Sequence, residues 1–387
     1  MTRLPHARRA VTALSLTLTL IAAVLLGGAF PATANAAAPT LTVTEVVGDL
    51  KNPWDLTWVG GVMLYDERAG RLWSKQGSNR PQRVRIALPP VYDQSEGGML
   101  GMVADPAAAT NKYFYTCIAV AQAGGEPQGV EVWKWRLDSP TRATKVKVLI
   151  TGIPLTSGRH SGCRLRFRSA AALYVGTGDA AVGTNPQSLG SLGGKVLRIR
   201  SDGTIPSSNP FYRRGGAARY IWSYGHRNIQ GLMFYPARQE IWSVEHGPRR
   251  DDEVNRIFSG LNYGWAPTPP GYDESRPMTD RSRFPSARSP NWRSGSPTVA
   301  TSGATFLTGS RWEAWNGRLA VAMLVGQGVK LFGVGADTRL SGAEDILEGY
   351  GRIRTVQQGP DGALYFTTSN AARTGPAVDK IYQVTPS

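Results

Sequence analysis

The sequence predicts an all-β fold closed into a six-bladed β-propeller, on three observations. One unit recurs: a small polar-glycine step, an apolar strand, a turn, and a second strand carrying an aromatic side chain. It reads NPWDLTWVGGVMLYDERAGRLW (52–73), EGGMLGMVADPAAATNKYFYTCIAV (96–120) and HSGCRLRFRSAAALYVGTGD (160–179), then RNIQGLMFYPARQEIWSVEHG (227–247), SGATFLTGSRWEAWNGRLAVAML (302–324) and GRIRTVQQGPDGALYFTTSN (351–370). Six copies at intervals of roughly 45 to 75 residues mark a radial repeat, whose sheets cannot bury both faces alone and lean on their neighbours. No long amphipathic helix pattern lies between the copies. The 45 glycines, 26 prolines, 11 tryptophans and 14 tyrosines suit many short strands joined by turns. A pair of sandwiches is the alternative, but it does not account for six copies.

Taken in order, residues 1–36 read as a secretory signal: Arg3, Arg8 and Arg9, then the apolar run ALSLTLTLIAAVLLGGAF, then an Ala-x-Ala site at 34–36. The expected body is a single propeller domain over 37–387. A cleaved leader implies an exported chain that is not an integral membrane protein. Further strand pairs follow several units, as in GVEVWKWRL (129–137), GKVLRIRS (194–201) and VKLFGVG (329–335). The tail DKIYQVTP (379–386) is expected to close the ring by pairing with LTVTEVV (41–47).

Charge and chemistry crowd between Ile221 and Trp265. His226, Arg227 and Asn228 precede the strand GLMFY (231–235), and IWSV (241–244) runs into the charged Gly-Pro corner EHGPRRDDE (245–253). Such a corner is either a solvated turn or a site for a hard cation that takes backbone and carboxylate oxygens. The net charge of +16, or +13 without the leader arginines, raises the question of nucleic acid. The arginines are scattered, and zinc spacing and a recognition helix are missing, so nucleic acid is not the expected partner. Cys117 and Cys163 sit in strand-like segments, where a disulfide and two separate buried thiols are both open readings.

If the units are blades, their first residues converge near the central channel: Glu96, His160, Arg227, Asn228, Ser302, Arg352 and Arg354. Three inward arginines need anions, from fixed carboxylates or from an anionic ligand.

With these motifs in hand the chain resembles the soluble pyrroloquinoline-quinone-dependent glucose and aldose sugar dehydrogenases. The resemblance rests on NPWDLTW, EGGMLG, HSGCRLRF, LYVGTGD, LGGKVLRI, YGHRNIQGL, EHGPRRDDEVN, GLNYGW, GRIRTV and PDGALYF, in order from about Leu50 to the end. It implies an oxidoreductase that converts the C1 hydroxyl of aldose sugars to a lactone by hydride transfer to the quinone, and passes electrons to an external acceptor. It implies His160 as general base, Asp179 as the carboxylate that orients it, and Arg227 and Asn228 at the quinone carbonyls. Arg352 and Arg354 would hold the cofactor's carboxylates, and Glu96 would meet the sugar. The carbonyls of Gly247 and Pro248 would bind Ca²⁺, with Asp251, Asp252 and Glu253 in support and Asp252 the best placed of them. PPGYDE (269–274) resembles a second, weaker Ca²⁺ site through the carbonyls of Pro270 and Tyr272 and the carboxylate of Glu274.

Departures accompany the matches. The family lysine expected near Val325 or Gly326 is missing, and Lys330 reads as part of the next strand. After His160 the chain has Ser161, Gly162 and Cys163 where the family has two glycines, and Arg159 is a basic neighbour expected to depress the histidine's pKa. The missing lysine also supports a rival reading, a non-catalytic carbohydrate-binding propeller; a Ca²⁺-dependent lactone hydrolase is a further alternative. Glucose-branch insertions are not evident, which favours the aldose branch.

Overall fold

The computed structural model describes Met1, Thr2 and residues 37–268 and 271–387. The expected leader lies outside the described residues, apart from Met1 and Thr2, and so does Pro270. No helix among the described residues is long and apolar enough to cross a membrane.

Six four-stranded antiparallel sheets make up the body. Their inner strands are Pro53–Val59, Met99–Ala104, Gly162–Ser169, Ile229–Tyr235, Thr301–Phe306 and Ile353–Gln358, one at the head of each predicted unit. Each inner strand packs against those of the blades before and after it, the sixth against the first, so the ring is closed. Closure comes from the two ends of the body. Leu41–Leu50 pairs antiparallel with Asp379–Pro386, from Leu41 opposite Pro386 to Leu50 opposite Asp379, as the tail motif predicted.

Burial follows from this geometry. Strands in the middle of a blade are covered on both faces, and Val62–Glu67, Ala172–Thr177 and Leu319–Met323 are buried throughout, whereas the outermost strand Leu340–Ile346 is largely open. The core lies between blades: Trp54, Leu100, Tyr115, Val132, Leu165 and Val175 belong to one cluster that spans sheets.

In every blade the inner ladder shifts register near the start of the inner strand, between Ile229 and Gly231 and between Ile353 and Thr355 for example. Such bulges bend the strand and re-aim its side chains, here at the channel mouth. Close approach between blades accompanies them. A Cβ on Gly231 would stand 2.5 Å from the carbonyl oxygen of Ser302 in the next blade.

Cys117, in the second strand of blade 2, is bonded to Cys163, in the inner strand of blade 3, with Cα atoms 5.9 Å apart. The bridge decides the question left open by spacing. It also accounts for Cys163 at a usual glycine position, since the residue takes a left-handed φ of 67° and turns its sulfur into the inter-blade core.

Candidate active site

The start of each inner strand lies beside the end of the second strand, because the two run antiparallel. The site is therefore built from two sets of residues at one end of the ring. His160 precedes Gly162–Ser169, Arg227 and Asn228 precede Ile229–Tyr235, and Arg352 precedes Ile353–Gln358; Asp179 and His246 follow Ala172–Thr177 and Glu240–Glu245.

His160 is buried and takes a left-handed φ of 54°, a strained conformation for a non-glycine residue that tends to collect at functional sites. The neighbouring strand permits it through Gly178, where a Cβ would come within 1.8 Å of the His160 carbonyl oxygen. The imidazole Nδ1 lies 2.8 Å from Asp179 Oδ1. Asp179 is fully buried and also accepts from Ala181 N–H at 2.8 Å, Trp265 Nε1 at 2.8 Å and the Tyr272 hydroxyl at 2.6 Å. With Nδ1 donating to the carboxylate, Nε2 keeps its lone pair, and it has no hydrogen-bond partner among the described residues. The preceding Arg159 does not stand free beside the ring, because its guanidinium pairs with Glu274.

Arg227 is buried and donates from Nη1 to the His246 carbonyl at 3.0 Å and from Nη2 to Glu274 Oε1 at 2.8 Å. Asn228 donates to Glu96 Oε2 at 2.8 Å and accepts from Gln230 at 3.0 Å. Gln230 Oε1 in turn accepts from Arg354 Nη1 at 2.8 Å, and Ser302 Oγ lies 3.3 Å from the same nitrogen. The predicted set thus meets across four blades. Arg352 donates to the Leu324 carbonyl at 3.4 Å and lies within electrostatic reach of Arg354. Lys330 pairs with Asp345 at 2.6 Å, away from this set, while Val325 is exposed.

Cations outnumber anions here, and the electrostatics show it. Burial works against ionisation of Glu96, yet its neighbours, the Asn228 amide and the Arg227 guanidinium among them, hold its carboxyl below the ordinary glutamate value. Burial, reinforced by Arg68, Arg164 and Arg352, pulls Arg354 down to about 9 against the single pull of Glu96. Burial also pushes His246 down to about 3 against the pull of Glu96, with Arg354 and Arg227 adding to it, so its imidazole is neutral. Three buried polar atoms of this cluster lack any hydrogen-bond partner among the described residues: Arg227 Nε, Arg354 Nε and His246 Nε2. Unpaired buried polar groups are costly and rare, so the donor set fits a planar anionic group rich in acceptors. Beneath it the channel is plugged. Arg164, paired with Asp55 at 2.7 Å and bonded to Thr355, and Arg166, bonded to Gln357, cross the channel and floor the site as a cup.

The Gly-Pro corner is shaped by Asp252, whose carboxylate accepts from Gly247 N–H and Val299 N–H, each at 2.8 Å. Asp252 thus holds the loop by hydrogen bonds, and the Gly247 and Pro248 carbonyls have no hydrogen-bond donor among the described residues. No group of three acidic, histidine or cysteine side chains that could hold a metal is found among the described residues, so any cation at this corner would rely on backbone oxygens. At the weaker second site, Glu274 spends its carboxylate on Arg159 and Arg227.

Sequence reasoning did not place His246, Trp265 or the Tyr272 hydroxyl in the site. The signals were present in EHG, NYGW and GYD, but these residues reach the cup through loops whose folding back is not periodic.

The family model for glucose/sorbosone dehydrogenase matches residues 50–375. The aldose sugar dehydrogenase YliI of Escherichia coli is 31% identical over 347 residues, covering 87% of this chain and 92% of its own. The structure of the soluble aldose sugar dehydrogenase of Escherichia coli in its apo-form superposes with a TM-score of 0.80 at 28% identity, over 90% of this chain and 100% of that one. The quinone-bound aldose sugar dehydrogenase of Streptomyces coelicolor gives a TM-score of 0.71 at 27% identity, again over 90% of this chain and 100% of that one. A histidine-aspartate pair opening on a cup of unsatisfied cationic donors suits redox chemistry on a polar substrate, and by the match over most of its length the chain belongs to the glucose/sorbosone dehydrogenase family of oxidoreductases.

Proposed function

We propose that this chain is an exported quinoprotein dehydrogenase that oxidises the C1 hydroxyl of aldose sugars to the lactone. The observation that carries the reading is the Asp179–His160 pair, with Nε2 unpartnered among the described residues, beside a cup whose buried Arg227 and Arg354 each leave a donor unsatisfied there. When bound, pyrroloquinoline quinone supplies the two-electron acceptor and Ca²⁺ a Lewis acid that polarises it. His160 Nε2 takes the proton of the anomeric hydroxyl as the C1 hydrogen leaves as hydride, and Asp179 offsets the imidazolium charge that results. Arg227 and Asn228 would stand by the quinone carbonyls and offset negative charge there. Arg352 and Arg354 would hold the cofactor's carboxylates, Glu96 would accept from sugar hydroxyls, and the Gly247 and Pro248 carbonyls would ligate the cation. The signal-like residues 1–36 and the Cys117–Cys163 bridge support an oxidising, extracytoplasmic location. Electrons leave to an external acceptor.

Lys330 is engaged with Asp345, which keeps alive the reading of a propeller that binds sugar without quinone. One titration decides between them. Purified protein mixed with quinone and Ca²⁺ is expected to show saturable quenching of tryptophan fluorescence and to reduce a dye with several aldoses. Absence of both at saturating quinone would rule out the dehydrogenase.

A further inference from the structure

The proposed base is held from two sides, from its own blade by Asp179 and from blade 4 by a segment that crosses to it. That segment lies between the strands Glu253–Ile257 and Trp292–Arg293. From it the Tyr272 hydroxyl reaches Asp179 Oδ2 at 2.6 Å and His160 Nδ1 at 3.0 Å, and Glu274, two residues on, pairs with both Arg227 and Arg159. One short stretch therefore touches the base, its carboxylate and the adjacent arginine.

We infer that Tyr272 is a further positioning residue for the reaction proposed above, its hydroxyl fixing the Asp179 carboxylate and, through it, which nitrogen of His160 carries the proton. The inference rests on His160 being the base. An ionised carboxylate only accepts, so the 2.8 Å contact between Asp179 Oδ1 and His160 Nδ1 requires the hydrogen on Nδ1. The phenol has one proton of its own, and it goes to Oδ2. Were it turned to Nδ1 instead, Nδ1 would have to accept, and its lone pair would face that of Oδ1. The direction of the phenol proton and the imidazole tautomer are thus locked together, with the lone pair on Nε2, where a base needs it. The aromatic part of Tyr272 packs 5.9 Å from the His160 ring and 6.1 Å from that of Trp265. A phenylalanine reproduces that packing and lacks only the hydroxyl.

The test compares Tyr272→Phe with the parent protein in three readouts. The quinone-loaded variant is expected to lose about tenfold in kcat while KM for the sugar stays within about twofold, a loss on the scale of one hydrogen bond to a charged group. Quinone affinity, read by tryptophan quenching, is expected to be unchanged. In the ¹⁵N-labelled protein without quinone, the low-field Nδ1 proton resonance of His160, assigned by its disappearance in His160→Gln, is expected to shift or broaden. An unmoved resonance together with the parent kcat overturns the inference. An inactive His160→Ala beside a fully active Tyr272→Phe removes the tyrosine's role alone, whereas an active His160→Ala removes the base itself. If Tyr272→Phe does not fold, Glu274→Gln frees the same segment and is read the same way: a fall in kcat with a shifted Nδ1 resonance supports the inference, and neither change overturns it.

Discussion

Two histidines stand at the mouths of successive blades in nearly the same setting. His160 and His226 each come just before an inner strand, and each is joined through Nδ1 to a carboxylate 19 residues later, Asp179 at 2.8 Å and Glu245 at 3.0 Å. They differ at the other nitrogen. His226 Nε2 is 2.9 Å from Ser223 Oγ, and its ring is stacked 4.5 Å from Tyr263. His160 Nε2 has no such partner among the described residues. Both nitrogens of His226 are spent on holding the fold, whereas His160 keeps one free for chemistry, so the spaced pair of histidine and carboxylate does not by itself make a base.

The largest expected effect is on this contrast. His160→Ala is expected to lower kcat by about 10²- to 10⁴-fold, the usual yield of a positioned general base, with only the one buried contact to Asp179 lost from stability, about 1–3 kcal/mol. His226→Ala should do the opposite. It leaves Glu245 and Ser223 short of a partner, at about 1–3 kcal/mol each, so thermal unfolding should move markedly while the surviving folded fraction keeps its turnover. Equal loss of turnover in the two variants would erase the distinction.

A second difference lies in how each mouth is braced. The His160 side is tied to blade 2 by the disulfide that closes a span of 46 residues, which chain-entropy reasoning values at about 4 kcal/mol. Replacing both cysteines by serine is expected to cost about 2–4 kcal/mol in denaturant unfolding, the usual range for a native disulfide. The His226 side is braced by a buried polar chain. Asn255 donates to Glu245 at 2.9 Å and to Glu253 at 3.1 Å, and Thr279 donates to Glu253 at 2.8 Å.

The smallest effect follows from that chain. Burial, and then the neighbouring Glu245, raise the Glu253 carboxyl from 4.5 to about 8. A folded-state value above the unfolded one means the folded protein binds the extra proton between those limits. Stability from this group is therefore complete below pH 4.5 and is lost as pH rises towards about 8. Glu253→Gln should flatten the pH dependence of stability in that window, measured by urea unfolding. An unaltered slope would show that Glu253 ionises normally.

Much of the fold was legible in the sequence because its signals are local and repeated. Each predicted unit begins within a few residues of an inner strand, and DKIYQVTP pairs with the N-terminal strand as closure of the ring required. Several site residues were legible for the same reason, since Glu96, His160, Arg227, Asn228 and Arg354 stand at strand starts that a ring must bring together. Tyr272 and Glu274 were read through backbone oxygens and a metal site, while the structure shows the hydroxyl of one on Asp179 and the carboxylate of the other between two arginines. Their segment obeys no period, and what it touches depends on how far it reaches across the ring.

The sequence by itself determined the number of blades and the closing pair of strands, because apolar runs and turn residues act over a few neighbouring positions, and its ordered motifs carried the resemblance to the family. Only the tertiary structure decided that Cys117 and Cys163 are joined, that every inner ladder bulges at the channel mouth, and that His160 rather than His226 keeps a free nitrogen. Each of these depends on the distance between residues on different strands or blades, a quantity set by packing around the ring and not written in any local stretch of chain.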